Sequence, residues 1–223
     1  MKIRLIAATL IGLTLAASPL AAQPAPVPAP VQMSAFVDPD PAKDPENILV
    51  LDLSNGGRVM IRLMPSWAPG HVDRIKTLTR QGFYNGVVFH RVIEGFMAQT
   101  GDPTGTGTGG SQMPDLKAEF NFMPHVRGTV SMARTDQPDT ANSQFFVVFY
   151  PRFALDHRYT NFGRVIAGMD VVDTIQLGEP PTNPTKIVQA SILADGKAAP
   201  PRPVAAPIAP AVSADQLNNS TSN

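Results

Sequence analysis

The chain has 223 residues, carries 18 Lys and Arg against 18 Asp and Glu, and is 43% hydrophobic. That balance offers no basic surplus for a nucleic acid and no acidic surplus for a solvating tail. Cysteine is absent, which excludes thiol catalysis, thiolate metal sites and disulfide staples together.

Lys2 and Arg4 precede an uncharged apolar run over 5–17, and Ser18-Pro19-Leu20-Ala21-Ala22 adds a helix breaker and small residues. This pattern predicts a secretory signal peptide over 1–22 and, after cleavage, a periplasmic protein. The apolar run is short for a bilayer core, so no stable membrane insertion is expected once it is removed. Residues 23–45 open with QPAPVPAP and are expected to form an extended, disordered Pro/Ala-rich linker. Residues 196–223, with KAAPPRPVAAPIAP and DQLNNSTSN, hold too little packed hydrophobicity to fold alone and are expected to be a second disordered tail.

One domain remains, 46–195. Residues 48–53 read as a strand, Asn55-Gly56-Gly57 as a hairpin turn and 58–63 as the partner strand. Val72, Ile75 and Leu78 share one face of a helix over 69–81, which Gly82 stops. Short apolar strands are expected at 87–93 and 96–100, followed by the glycine-rich stretch 105–110. Further strands are expected at 129–133, 144–149 and 161–167, then a short helix over 169–176 and a last strand over 186–193. Many short strands with turn signals and two helices predict a mainly β fold, a closed antiparallel barrel with helices over its ends.

Several searches fail. There is no HExxH, and His71, His90, His125 and His157 are scattered, so no metal or cofactor is expected. There is no GxSxG elbow. GTGTGG at 105–110 lacks the lysine of a phosphate loop and reads as a mobile surface loop. Arg134, Asp136 and Asp139 sit in a turn-rich stretch and read as solvated. What remains is Arg91 on a strand, followed by Phe96, Met97 and Gln99, with Gln144, Phe145 and Phe146 on a later one. An arginine beside aromatics, a methionine and amides makes either an apolar pocket with a few fixed donors or a core with one snorkelling arginine. His90 alternates with Arg91 and so points to the opposite face, which suits a structural hydrogen bond.

Three segments break that tie. FHRVIEGFMAQTGDPTGTGTGG, RGTVSMARTDQPDTANSQFFVV and LDHRYTNFGRVIAGMDVVDTI closely resemble the signature regions of cyclophilins, in family order. The resemblance covers about 48–193 and leaves out both ends. It implies an eight-stranded antiparallel barrel capped by two helices, and cis-trans isomerisation of X-Pro peptide bonds in unfolded or partly folded polypeptides. By resemblance, Arg91 corresponds to the catalytic arginine, and Phe96, Met97, Phe146 and Leu155 to the wall of the proline pocket. Gln99 corresponds to a contact with the substrate backbone. Ala133, Asn142 and Gln144 lie where the family binds the residues before the proline. Two positions depart from the best-known eukaryotic pattern. Ala154 or Phe153 stands where those enzymes carry a tryptophan, and Tyr159 where they carry a histidine, its hydroxyl still able to supply a polar edge. The resemblance therefore does not extend to tight cyclosporin binding. No group in this set titrates near neutrality, so activity is expected to be flat between about pH 6 and 9. A monomer is expected. The alternative reading is a proline-binding or chaperone module without catalysis on the same fold.

Overall fold

The structure, a computed structural model, describes residues 33–201. The expected signal peptide, the first part of the linker and the tail beyond 201 lie outside the described residues.

Among the described residues eight strands are present: β1 (Ile48–Leu53), β2 (Arg58–Leu63), β3 (Arg91–Ile93), β4 (Met97–Thr100), β5 (Thr129–Met132), β6 (Phe145–Val148), β7 (Asn161–Ala167) and β8 (Ile187–Ile192). They form one antiparallel sheet in the order β3-β4-β6-β5-β7-β2-β1-β8. The expected barrel is not closed. It is an open half-barrel with β3 and β8 at its two edges, and between them lie isolated bridges, Val88 to Lys186 and Val92 to Gly178, and backbone hydrogen bonds linking 86–89 to Thr185 and Ile187. Chain chemistry accounts for the gap: Pro180, Pro181 and Pro184 precede β8 and have no N–H to continue a ladder.

The hairpin β1–β2 turns where expected, with Gly56 at φ 84°. Helix α1 (Pro69–Arg80) lays His71, Val72, Ile75 and Leu78 against the sheet. It starts at a proline with no side-chain cap from Ala68. Glu119, distant in sequence, accepts from the amides of Gly70 and His71 at 3.0 Å each, and meets His71 Nδ1 at 2.6 Å. A carboxylate there satisfies orphan donors and complements the helix dipole. Helix α2 (Met169–Asp173) is shorter than expected. Thr174 caps it, its hydroxyl donating to the Val171 carbonyl at 2.9 Å.

The chain ahead of β1 departs from the expected linker. Over 33–47 it is folded against the sheet, with 3-10 turns at Pro41–Lys43 and Pro45–Asn47. Buried Arg62 donates to the carbonyls of Asp38, Asp40 and Asp44 at 3.2, 2.6 and 2.9 Å. Trp67 Nε1 donates to Ser34 at 2.7 Å. A buried guanidinium with five donors needs several acceptors, and this arm supplies them as backbone carbonyls. At the other end, Gln189 reaches the Ala198 carbonyl at 2.9 Å. Arg80 pairs with both Glu46 (2.8 Å) and Asp195 (2.9 Å), so α1 ties the start of the domain to its finish. Among the described residues no helix is long and apolar enough to cross a membrane.

Candidate active site

The strand Phe145-Phe146-Val147-Val148 is buried along its whole length. Side chains alternate faces along a strand, so it serves two apolar clusters. Phe145 and Val147 enter the main core with Ala98 and Val130. Phe146 and Val148 point to the other face and join Met97, flanked by Ile93, Phe96, Ala133, Leu155 and Tyr159. The register places Arg91 opposite Gln99, and Gln99 opposite Phe146. Arginine, amide and aromatic therefore stand in one row across three strands.

These residues enclose a cavity of roughly 270 Å³, lined by Arg91, Phe96, Met97, Gln99, Ala133, Arg134, Phe146, Leu155 and Tyr159. Tyr159 meets Phe146 edge to face, ring centroids 5.7 Å apart. A second cavity of roughly 630 Å³ adjoins it and shares Gln99, Ala133 and Arg134. Its wall continues through Gly107 to Ser111, Asp115, Thr140, Asn142 and Gln144. Every expected site residue thus lies on one of two adjoining cavities. Arg91 and the apolar residues line the first, Asn142 and Gln144 the second, and Gln99 and Ala133 both. Phe153 and Ala154 are exposed and line neither.

The Arg91 guanidinium is half-exposed at the mouth of the first cavity, and its Nε donates to Glu179 Oε2 at 2.6 Å. Gln99 Nε2 donates to Gln144 Oε1 at 2.9 Å. Gln144 in turn donates to the carbonyls of Gly107 (3.0 Å) and Gly109 (2.8 Å). The Gln99 amide carries a second N–H beyond the one given to Gln144.

The glycine-rich stretch is not the mobile loop expected. It folds around Asp102, which is fully buried. The Asp102 carboxylate accepts from the Thr104 amide and hydroxyl, both at 2.7 Å, and from the amides of Gly107 (2.6 Å) and Gly109 (3.1 Å). Burial pushes this carboxyl up, but the Thr104 hydroxyl and the amides of Gly109, Thr104 and Gly107 outweigh it and hold it at about 2. Gly101, at φ 93°, lets the loop leave β4 against the Ser143 carbonyl, where a Cβ would collide. Asn142 Oδ1 accepts from the Ser111 amide (2.9 Å) and hydroxyl (2.6 Å), and its Nδ2 donates to Met113 (2.9 Å) and Asp115 (2.9 Å). From α1, buried Arg74 donates to the carbonyls of Pro114 (2.6 Å) and Asn142 (3.2 Å).

Two other expectations change. Arg134 is not merely solvated. Its guanidinium lies 4.7 Å from the Tyr159 ring centroid and donates to the Arg158 carbonyl at 2.8 Å, so it forms the rim shared by both cavities. His90 is buried outside the lining of Arg91's cavity; neither ring nitrogen has a partner within 3.5 Å, and the Gln144 side chain is near enough only for a weak interaction. Burial lowers its pKa, against a smaller opposing pull from Asp102. Behind the first cavity, His125 Nδ1 meets Asp156 (2.8 Å) and Nε2 meets Ser131 (2.9 Å). This resembles a nucleophile triad, but Ser131 is fully buried and no acyl group can reach it. Among the described residues no group of three or more His, Cys, Asp or Glu could hold a metal ion.

Comparison with known proteins agrees with this geometry. The family described as cyclophilin type peptidyl-prolyl cis-trans isomerase/CLD matches residues 48–192. A probable peptidyl-prolyl cis-trans isomerase of Brucella suis is 50% identical over 172 residues, spanning 70% of this chain and 87% of that protein. The peptidyl-prolyl cis-trans isomerase-like 1 protein of Aspergillus fumigatus is 39% identical over 157 residues, spanning 66% and 96%. Among solved structures, cyclophilin AquaCyp293 from Hirschia baltica superposes with a TM-score of 0.64 at 31% identity, over 68% of this chain and 76% of that one. A Cryptosporidium parvum cyclophilin type isomerase, crystallised in the presence of the dipeptide Ala-Pro, gives 0.60 at 28%, over 65% and 98%. With the match spanning most of its length, and with the cavity lying where the family's segments converge, the chain belongs to the cyclophilin-type peptidyl-prolyl cis-trans isomerase family.

Proposed function

We propose that this chain rotates X-Pro bonds in exported polypeptides without a covalent intermediate, and that Arg91 is its catalytic residue. One observation carries the reading: a guanidinium stands at the mouth of a cavity that Phe96, Met97, Phe146 and Leu155 help to wall, with no serine, cysteine, lysine or carboxylate in its lining.

The planar X-Pro amide rotates slowly because resonance must be broken, against a barrier of about 18–20 kcal/mol. In the twisted amide the proline nitrogen regains a lone pair. A donor aimed at that nitrogen stabilises the twisted form and not the planar ones, which is what raises a rate. Arg91 can donate at any working pH. Phe96, Met97, Phe146 and Leu155 hold the ring and exclude water, which favours the less polar twisted state. The second cavity, with Ala133, Asn142 and Gln144, takes the residues ahead of the proline. A millionfold acceleration needs roughly 8 kcal/mol shared among these effects.

The test is line-exchange NMR, or a protease-coupled assay, on an Ala-Xaa-Pro-Phe peptide with the full chain and its Arg91→Ala variant. Fast exchange in the wild type that falls about a hundredfold or more in the variant is expected, the usual cost of removing a transition-state donor. A folded wild type that binds the peptide without accelerating exchange would make this a proline-binding module instead.

Export rests on the pattern of Lys2, Arg4 and the apolar run over 5–17. Expressed in a Gram-negative host, the chain is expected in the periplasmic fraction with a new N-terminus near Gln23. Cytoplasmic protein beginning at its first residues would remove the exported-client part of the proposal and leave the reaction intact.

A further inference from the structure

A catalytic guanidinium needs to be held. Arg91 opens β3, a three-residue strand at the sheet edge, and its side chain is 41% exposed. A long side chain in such a place gives up much rotamer freedom whenever it adopts one pose. Its hydrogen-bond partner in the fold is Glu179, whose Oε2 accepts from Nε at 2.6 Å across 88 residues of sequence. Glu179 is itself anchored. Gly178, immediately before it, exchanges both backbone hydrogen bonds with Val92, immediately after Arg91, at 2.8 and 2.9 Å. The backbones beside the two side chains are thus locked together. Glu179 does not line the proline cavity and so touches no substrate there.

We propose that Glu179 is the positioning residue of Arg91. By accepting from Nε it fixes the guanidinium plane, and it leaves Nη1 and Nη2 to donate into the proline cavity. This rests on the reading of Arg91 as catalytic. The carboxylate has two opposing effects, orienting the guanidinium and offsetting its charge. The Glu179 side chain is 50% exposed, so water screens the long-range charge effect. The hydrogen bond is short-ranged and directional. Orientation therefore prevails, and loss of Glu179 lowers the rate.

The experiment measures kcat and KM separately by line-exchange NMR on full-length wild type, Glu179→Ala, Glu179→Asp, Glu179→Gln and Arg91→Ala. The side-chain Nε–Hε resonance of Arg91 is followed in the same samples. Glu179→Ala is expected to lower kcat about two- to fivefold with KM unchanged, the factor an exposed ion pair supports. Glu179→Asp keeps the charge but loses the reach, and is expected to fall with it. Glu179→Gln still offers an oxygen to Nε and is expected to restore most of kcat. The Arg91 Hε signal is expected to be sharp and slow to exchange in wild type and Glu179→Gln, and lost in the Ala and Asp variants. A mere loop tether would lower the melting temperature without moving kcat or that signal. Unchanged or raised kcat in a folded Ala or Asp variant overturns the proposal, as does a Gln variant no better than Asp. If Arg91→Ala keeps full activity, the catalytic reading of Arg91 falls, and this inference falls with it. If Arg91→Ala is inactive while every Glu179 variant is normal, only the positioning role falls.

Discussion

The two cavities share Gln99, Ala133 and Arg134, but their other walls are held by different forces. The first cavity, proposed to take the proline, is walled by side chains that β4, β6, Leu155 and Tyr159 bring together, and Met97, Phe146 and Val148 are packed almost out of solvent. Its shape follows from close packing. The neighbouring cavity takes part of its wall from the glycine-rich stretch 107–111. The backbone there is held by one buried carboxylate, Asp102, by two amide side chains and, through the 111–116 segment, by the guanidinium of Arg74. An apolar wall loses stability roughly in proportion to the atoms removed. A polar wall depends on every partner being present, because an orphaned buried donor costs more than a made bond contributes. On the proposed function, one groove would therefore combine a close-packed pocket for an invariant ring with a loop-built pocket for variable neighbours.

The comparison can be broken first at Phe146. Truncation to alanine removes the shared ring of the proline wall, and a loss of about 3–5 kcal/mol is expected by urea denaturation, with weaker binding of the bare dipeptide Ala-Pro. A loss under about 1 kcal/mol would mean that the apolar wall is not set by packing. A smaller effect is expected at Asp102. Asp102→Asn keeps the size but turns two N–H donors toward the amides and hydroxyl that now donate to the carboxylate, for a loss of about 1–3 kcal/mol. KM should rise for peptides extended ahead of the proline, while Ala-Pro binds as before. Equal loss for both ligands would show that the walls are coupled.

Acid should separate the walls with the smallest effect. His125, beneath Phe146, has its pKa lowered by burial despite its Asp156 partner. Below about pH 6.5 the unfolded chain takes up a proton there that the folded chain refuses, so stability falls with pH from that point. His71 and His90 add in the same direction. Asp102, held at about 2 when folded against 3.8 otherwise, contributes stability above 3.8 that is lost only as pH falls toward 2. Denaturation midpoints should thus decline in two stages, and Asp102→Asn should shrink the lower stage, to which Glu46, held low by Arg80 and Lys76, also contributes, while leaving the upper stage as it is. Activity should stay flat between about pH 6 and 9.

What could be read from the sequence follows the same division. The strands Ile48–Leu53, Arg58–Leu63 and Asn161–Ala167 were readable because apolar runs end at turn residues, and Phe146 and Met97 belong to such runs. Their roles came from the three family-like segments rather than from periodicity. Arg134 and Asp102 were missed for different reasons. Arg134 gains its place from Tyr159 and Arg158, which no local pattern brings near. Asp102 did carry a signal, an Asp-Pro step followed two residues on by Thr104, the spacing of a side chain that bonds its own backbone. Glu179 left none, since its partner lies 88 residues away. Barrel closure was over-read because strand count alone does not reveal that three prolines interrupt the last edge. The arm over 33–47 was hidden because the composition of 23–45 reads as a linker, while Arg62 and Trp67, which clasp it, lie in later elements.

The pairing of β1 with β8 sets an order of events during synthesis. As a ribosome feeds out the chain, β1 and β2 can form their hairpin at once, but the other edge of β1 stays bare until Ile187–Ile192 has emerged. Arg80 likewise meets Glu46 early and Asp195 only at the finish. An open apolar edge of that kind invites pairing with other nascent chains. A chain stalled or truncated short of residue 187 therefore yields a sticky intermediate rather than a smaller working domain, and the last strand acts as the latch that commits the whole fold.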